Sequence, residues 1–134
     1  RSCGRIVGTA MELEPRPYGS EEPCQGLAMT AAVKRALGAA RVEWALTDVV
    51  GERHRVEEWL YVSGRLHTRL APNLRHDQPL LKTGDLGAAS ALTLLVLACV
   101  SWETGASGAP SALVLAHSDG PERGAVLVVR EQDP

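Results

Sequence analysis

The stretch that decides the fold is KTGDLGAASALTLLVLACVSW, residues 82–102. It opens with a glycine-rich turn around Gly84 and Gly87 and continues as a predicted helix over residues 86–102. This helix has no polar face, and a helix that is apolar all round must be buried on all sides or lie in lipid. A membrane span is the less favoured alternative, because Gly, Ala and Ser fill the first turns and charged residues lie close to both ends. We therefore predict a central helix between two layers of an α/β protein.

The composition is that of one globular domain. Of 134 residues, 45% are hydrophobic and 22% are charged, and the net charge is −2. Basic residues are spread along the chain, whereas binding to phosphates needs a clustered basic surface, so we expect no nucleic-acid partner. The cysteines Cys3, Cys24 and Cys99 form neither a zinc pattern nor a disulfide framework. We expect reduced thiols, no metal, no cofactor, no membrane partner and a cytoplasmic location.

The beginning of the chain supports a separate expectation. No basic segment followed by an apolar run is present, so no signal peptide is predicted. The chain begins at Arg1 rather than Met, and its first residues lead directly into a predicted strand. We therefore expect a fragment or a processed piece of a longer protein.

The whole chain alternates between strands and helices. Strands are predicted over residues 5–13, 43–50, 79–82, 111–117 and 124–130. One helix is capped by Ser20 and stops at Gly38, a second runs over residues 56–70 before Pro72 and Asn73 break it, and the central helix is the third. The order β-α-β-α-β-α-β-β favours an α/β fold with a mixed five-stranded sheet and right-handed crossovers. The last two strands are predicted to form an antiparallel hairpin that adds an antiparallel strand at the edge of the sheet.

Three segments carry a resemblance to a known family. GDLGAAS at residues 84–90 resembles the G-H-x-x-G-A-A-G turn and helix of the β-ketoacyl-ACP synthases. IVGT at residues 6–9 resembles the strand that opens the second half of those enzymes, and residues 112–129 resemble their closing hairpin. The order of elements is similar over nearly the whole chain. The resemblance implies that residues 1–134 form a single half-domain, the C-terminal half of a thiolase-like αβαβα fold, with the N-terminal half absent or on another chain.

The resemblance also implies what covers the apolar helix. In that family two sheets stack with helices between and outside them, so the expected partner is a second thiolase-like half. It is supplied by the N-terminal segment of the same protein, by a separate chain or by a second copy. Burying about 400 Å² of the helix would contribute roughly 10 kcal/mol of hydrophobic stabilisation. Further expected partners are an acyl carrier or a secreted protein. The residues expected at the interface between halves are Ala88, Ala91, Leu92, Leu95 and Cys99.

The departures from the family fall on its chemistry. The condensing reaction of the family needs a cysteine nucleophile from the other half and two histidines from this one. The first histidine precedes the glycine of an H-G-T-x-T turn, where this chain has Val50 before Gly51, and Asp85 stands at the position of the second. A negatively charged aspartate opposes the charge of a developing enolate oxygen, so the chain resembles a degenerate synthase. The candidate residues at or near family positions are Glu52, His54, Lys82 and Asp85.

Other polar residues are interpreted as structural. His76 and His117 are given no role, because no sequence pattern assigns either of them a carboxylate partner. Cys24 is expected to be unreactive, since neighbouring acidic residues oppose thiolate formation. An acidic cluster follows the second predicted strand, and its members are Asp48, Glu52, Glu57 and Glu58. It is read as helix capping and solvated surface, with a functional site at the end of a parallel strand as the alternative.

Three functional hypotheses follow. The leading one is a catalytically inactive β-ketoacyl-synthase-like protein that acts by binding, as a scaffold, adaptor or accessory subunit. Such a protein resembles the stand-alone degenerate synthases of bacterial gene clusters, an analogy at the level of the fold. The alternative is a 3-oxoacyl-ACP synthase-type acyltransferase whose nucleophilic cysteine lies in a missing N-terminal half. A small membrane protein that uses the apolar helix is the third.

Overall fold

A mixed sheet with helices on both faces organises the molecule, and the computed structural model describes residues 2–132. The elements are β1 (Gly4–Leu13), α1 (Leu27–Leu37), β2 (Val42–Thr47), α2 (Arg53–Arg65), β3 (Leu70–Asp77), α3 (Leu80–Thr83), α4 (Ser90–Glu103), β4 (Ser111–His117) and β5 (Glu122–Arg130). A single 3₁₀ turn, Gly87–Ala89, leads into α4.

The sheet has the strand order β1-β5-β4-β2-β3. Strand β2 runs parallel to both β3 and β4, whereas β5 is antiparallel to β4 and to β1. The predicted mixed five-stranded sheet is confirmed, and so is the closing hairpin, in which His117 pairs with Arg123. The expected edge position of the last strand was wrong, because β5 also pairs with β1 and therefore lies inside the sheet.

The third strand was predicted in the wrong place. Residues 79–82 do not form a strand, because they belong to the short helix α3, and the strand is Leu70–Asp77. Pro72 was read as the end of a helix, but β3 lies at the edge of the sheet, where a proline need not donate to a neighbouring strand. Leu74 packs against the core beneath the sheet, which fixes the segment as a strand.

Two helix boundaries also differ from the prediction. Helix α1 begins at Leu27 rather than near Ser20, after a loop over residues 14–26. The capping acceptor comes from a distant residue, since the Glu14 carboxylate accepts the backbone N–H of Ala28 at 2.9 Å. Helix α2 ends at Arg65 instead of continuing to residue 70, which leaves the chain free to enter β3.

The two faces of the sheet have separate cores. Helices α1 and α2 cover one face, and the buried residues there include Met29, Val33, Val62, Leu113 and Leu127. Helix α4 covers part of the other face. The buried residues of that side include Trp44, Leu46, Leu94, Trp102 and Val114.

Helix α4 is apolar all round but is buried on only one side within this chain. Its buried residues recur every four positions and are Ser90, Leu94, Ala98 and Trp102. On the opposite side Leu92, Val96 and Val100 are 66%, 53% and 45% exposed. The predicted complete burial refers to an assembly with a covering half, so it stays a prediction. Among residues 2–132, no helix combines the length and the apolar character needed to cross a membrane.

The expectation of unpaired cysteines was wrong. Cys3 and Cys99 form a disulfide with a Cα–Cα distance of 5.4 Å, although 96 positions separate them in the sequence. The spacing gave no sign of this pair because the fold alone brings the start of β1 to α4. The cytoplasmic location therefore stays a prediction without the reduced thiols on which it rested. Cys24 is free, and burial raises the pKa of its thiol to about 11, which makes it unreactive at neutral pH.

Candidate functional site

Charged side chains collect where β2 and β4 end. These strands are parallel neighbours, with Thr47 paired to Leu115, so their carboxyl ends meet at one edge of the sheet. Asp48 follows β2 and His117 ends β4. Ligand sites of open α/β sheets lie outside the carboxyl ends of the strands, which makes this edge the candidate site.

Asp48 and His117 form a buried pair. The Asp48 Oδ1 atom lies 2.7 Å from His117 Nδ1, and Asp48 Oδ2 accepts the backbone N–H of His117 at 2.6 Å. Only 1% and 3% of the two side chains are exposed. The expectation that His117 has no carboxylate partner was therefore wrong. Its partner lies 69 positions away and is brought to it by the parallel register.

Glu58 extends this pair into a network of four side chains. Arg123 donates to both carboxylate oxygens of Glu58, through Nε and Nη2, each at 2.8 Å. The Nε2 atom of His117 lies 3.5 Å from Glu58 Oε2. The remaining Arg123 nitrogen, Nη1, donates to the backbone carbonyl of Gly120 at 2.8 Å, which holds the β4–β5 turn. We call Asp48, His117, Glu58 and Arg123 the buried charge network.

The network favours the charged forms of Glu58 and His117. Burial opposes charge on Glu58, but the nearby His117 ring and the two hydrogen bonds from Arg123 outweigh it and lower the Glu58 pKa to about 2. Burial likewise lowers the pKa of His117, yet the carboxylates of Asp48 and Glu58 outweigh that effect and raise it above its ordinary value. Glu58 therefore carries a negative charge between two groups, His117 and Arg123, whose positive forms it favours.

A second ion pair joins the network to the start of α4. Arg55 is 3% exposed, donates through Nη1 to the backbone carbonyl of Asp48 at 3.1 Å, and donates through Nη2 to Asp85 Oδ2 at 3.0 Å. The other oxygen of Asp85 accepts the backbone N–H of Gly87 at 2.8 Å. These donors, the Gly87 N–H first and then Arg55, hold the Asp85 pKa below its usual range. Asp85 thus has two roles: it caps the turn into α4, and it neutralises Arg55.

A cavity of about 220 Å³ lies beside these groups. Its lining includes Arg55, Asp85, His117 and Asp119. The positive charge of Arg55 is taken up by carboxylates, because Asp119 lies 3.7 Å away in addition to Asp85. The Nε2 atom of His117 is fully buried and lies near Glu58, so it does not serve the cavity as an acid or base. An anionic substrate meets little free positive charge here.

Glu14, Cys24 and Glu58 are the residues with the best spacing for a metal ion, since their ligand atoms lie within 4.8 Å of one another. Both Glu58 oxygens already accept hydrogen bonds from Arg123, and Glu14 accepts one from the backbone of Ala28. The thiol is protonated at neutral pH, and a guanidinium beside the carboxylate repels a cation. These residues fit a hydrogen-bonded cluster better than a metal centre.

We compared the sequence and the structure with those of known proteins. The sequence matches no protein-family model and no curated protein. The structure is similar to 3-oxoacyl-[acyl-carrier-protein] synthase III from Aquifex aeolicus VF5, with a TM-score of 0.66, 16% identity, and coverage of 97% of this chain and 55% of that one. It is also similar to the ishigamide ketosynthase/chain length factor, with a TM-score of 0.67, 20% identity, and coverage of 97% and 36%. For human mitochondrial 3-ketoacyl-CoA thiolase the TM-score is 0.50, the identity 17%, and the coverage 96% and 31%.

The fold is thiolase-like. This confirms the fold that the sequence resemblance implied. The chain spans 55%, 36% and 31% of the length of these three solved chains. At these identities the similarity describes the fold alone.

The structure brings two of the four candidate residues to the candidate site at the carboxyl ends of β2 and β4. Asp85 pairs with Arg55, and Glu52, at the N-terminus of α2, has a carboxylate oxygen 3.9 Å from Arg55 Nε. His54 instead stacks on Tyr18 with a centroid distance of 4.2 Å, and Lys82 is exposed on α3.

Sequence reasoning missed Arg55, His117 and Arg123. Two of them had a signal, because they lie beside an apolar run: His117 directly follows Ala112–Ala116, and Arg123 precedes the apolar part of β5. Arg55 had none, since it lies among the charged residues of positions 52–58. Asp48 and Glu58 were singled out, but as capping and solvated residues. Both side chains are buried, so that interpretation was wrong.

Proposed function

We propose that the chain is a non-catalytic, ketosynthase-like half-domain that acts by binding, as a scaffold, adaptor or accessory subunit. The observation that carries the proposal is the ion pair between Asp85 and the buried Arg55, with Asp85 also capping the turn into α4. In the β-ketoacyl-ACP synthases that the sequence resembles, a histidine stands at this position. Here the position carries a negative charge that is fixed in place by a structural pair.

The charge of Asp85 argues against decarboxylative condensation. That reaction develops negative charge on an enolate oxygen, which needs a neutral or positive donor. A carboxylate whose pKa is held below its usual range stays ionised at neutral pH and repels that oxygen. Val50 occupies the approximate place of the other family histidine and offers no side-chain donor.

The open side of α4 supports binding as the activity. A five-stranded sheet is about 24 Å wide at about 4.8 Å per strand, whereas one helix is about 10 Å across. Helix α4 packs on β2, β4 and β5, and a groove of about 320 Å³ separates its residue Ala91 from Thr9 and Met11 of β1. The uncovered strands leave room for one more helix beside α4.

The occupant that we propose for this groove is an apolar helix from a second thiolase-like half. The open side of α4 presents Leu92, Val96 and Val100, and the neighbouring strand presents Met11, which is 69% exposed. Ala88 and Ala91 are small enough to let another helix approach closely. The similar solved chains are longer than this one. The covering helix has three possible sources, which are the same polypeptide, another chain or a second copy of this chain.

Sedimentation velocity of the purified 134-residue chain at micromolar concentration tests the docking surface. We expect the wild-type chain to self-associate through its open face. Leu92→Asp should reduce association while leaving the fold intact, because Leu92 is 66% exposed in the chain. The matched control is Leu60→Asp on α2, where the leucine is 62% exposed and lies on another helix. A well-folded wild-type monomer, or equal effects of the two variants, would refute the proposal.

A decarboxylation assay with malonyl thioesters tests the loss of catalysis. We expect no turnover by the chain, either alone or joined to a thiolase-like N-terminal half that carries a cysteine. Asp85→Asn should change only the stability of the turn, by about 1 kcal/mol. Turnover that disappears in Asp85→Asn would instead support the acyltransferase alternative.

A further inference from the structure

The Cys3–Cys99 disulfide joins the start of the edge strand to the helix with the open face. Cys3 directly precedes β1, and Cys99 lies in the second half of α4. Both cysteines are only partly buried, so a small thiol reagent has access to them. The disulfide therefore connects two elements that the sheet does not join by hydrogen bonds.

The first residues of β1 form a unit separate from the rest of the strand. Gly4, Arg5 and Ile6 pair with Arg130, Val129 and Val128 of β5, and the register then shifts between Ile6 and Gly8. This bulge interrupts the ladder, so residues 3–6 can separate from β5 without disturbing the pairs that follow. Strand β1 is an edge strand, and these residues have no second neighbour in the sheet.

The separate unit covers a buried tryptophan. Trp102 is 3% exposed and donates through Nε1 to the carbonyl of Ala109 at 2.8 Å. Gly4 lies directly against its ring, since a Cβ atom built on Gly4 would be 2.9 Å from Trp102 Cζ3. Arg5 and Ile6 are exposed and contribute little apolar burial of their own. The disulfide is thus the strongest attachment of this unit to α4.

We propose that the Cys3–Cys99 disulfide is a redox-sensitive latch that holds residues 3–6 over Trp102 and that opens when a dithiol reduces it. The dithiol transfers two electrons and two protons, the sulfur–sulfur bond breaks to give two cysteine thiols, and the dithiol becomes a disulfide. Opening leaves β1 paired from Gly8 onward and uncovers the Trp102 end of α4. Val96 and Val100 of the open face lie within one turn of Cys99, so opening enlarges the apolar surface there.

Hydrogen exchange of the full chain, with and without dithiothreitol, tests the latch. We expect reduction to speed exchange of the amides of residues 4–6 by about tenfold or more, while residues 8–13 keep their protection. Tryptophan emission should shift to longer wavelength as Trp102 meets water. Cys99→Ser should show both changes without reductant, and Cys24→Ser should behave like the wild type because Cys24 is outside the disulfide.

Three results would overturn the proposal. Thiol titration of the non-reduced chain would show three free cysteines if the disulfide does not form. Unchanged exchange at residues 4–6 after reduction would mean that pairing with β5 alone holds them. Loss of protection across the whole sheet would mean that the disulfide stabilises the entire fold and not this unit. None of these readouts depends on partner binding, so they are independent of the proposed function.

Discussion

The buried pair of Glu58 and Arg123 should be strongly coupled. Two hydrogen bonds of 2.8 Å join side chains that are 1% and 2% exposed. Glu58→Met leaves Arg123 Nε and Nη2 without acceptors, and Arg123→Met leaves the carboxylate with only the weaker contact to His117. Removing one partner of a buried pair costs about 3–5 kcal/mol, because the other charge stays buried and unpaired. This is a large part of the 5–15 kcal/mol that stabilises a typical domain.

A double-mutant cycle measured by urea denaturation isolates the coupling. Each single variant should lose about 3–5 kcal/mol of unfolding free energy. The double variant should be no less stable than either single one, which corresponds to a coupling energy of at least about 3–5 kcal/mol. Arg123→Lys serves if the single variants fail to fold, since lysine keeps the charge but loses the two parallel hydrogen bonds.

Additive losses would refute this reasoning. If the double variant loses the sum of the single losses, Glu58 and Arg123 are stabilised by separate surroundings and not by each other. Full stability of Arg123→Lys would likewise show that the paired geometry contributes nothing.

Two further predictions concern pH and close packing. The His117 pKa is raised above its ordinary 6.5, and the Glu58 pKa is lowered from 4.5 to about 2. Both groups therefore contribute their full stabilisation of the folded state between pH 4.5 and pH 6.5. The unfolding free energy should fall as the pH rises through the raised His117 pKa, and it should also fall as the pH drops from 4.5 towards 2. His117→Gln should flatten the alkaline side of the pH–stability profile. A variant with the same profile as the wild type would contradict this explanation. Gly8→Ala should cost about 1–3 kcal/mol in urea denaturation, since its Cβ would lie 2.0 Å from the Ala36 carbonyl oxygen. Gly64→Ala in α2, with nothing within 4 Å, is the control and should be neutral or stabilising; equal effects would remove the steric explanation.

The sheet could be predicted from the sequence because its signals are local. Apolar runs bounded by glycine or proline marked β1, β2, β4 and β5, and the order of elements indicated the mixed sheet. The order of the strands was not predicted, since β5 was expected at the edge and lies between β1 and β4. Strand β3 was missed because LAPNLRHD contains a proline and four polar or charged residues that follow no clean alternation. An edge strand tolerates them, but its position at the edge is a property of the complete sheet.

The candidate site was much harder to predict than the sheet. Its contacts join residues 69, 65 and 30 positions apart, and no spacing rule links such residues. The disulfide was missed for the same reason, since 96 positions separate Cys3 from Cys99. A sequence displays charged residues without displaying which of them are buried, so Glu58 was read as solvated surface. Asp85 was identified only because the family resemblance drew attention to its position.

Arg55 explains why the aspartate at position 85 belongs to the fold as well as to the site. Its guanidinium binds the Asp48 carbonyl on one side and Asp85 on the other, so it links the end of β2 to the turn before α4. Replacing Asp85 by histidine alone would set an imidazole beside a buried guanidinium and remove the acceptor for the Gly87 N–H. The Gly87 N–H would then lose its acceptor and Arg55 Nη2 its nearest one, with no additional catalytic geometry. A histidine at position 85 therefore requires a change at Arg55 as well, which is what a structural role for this ion pair demands.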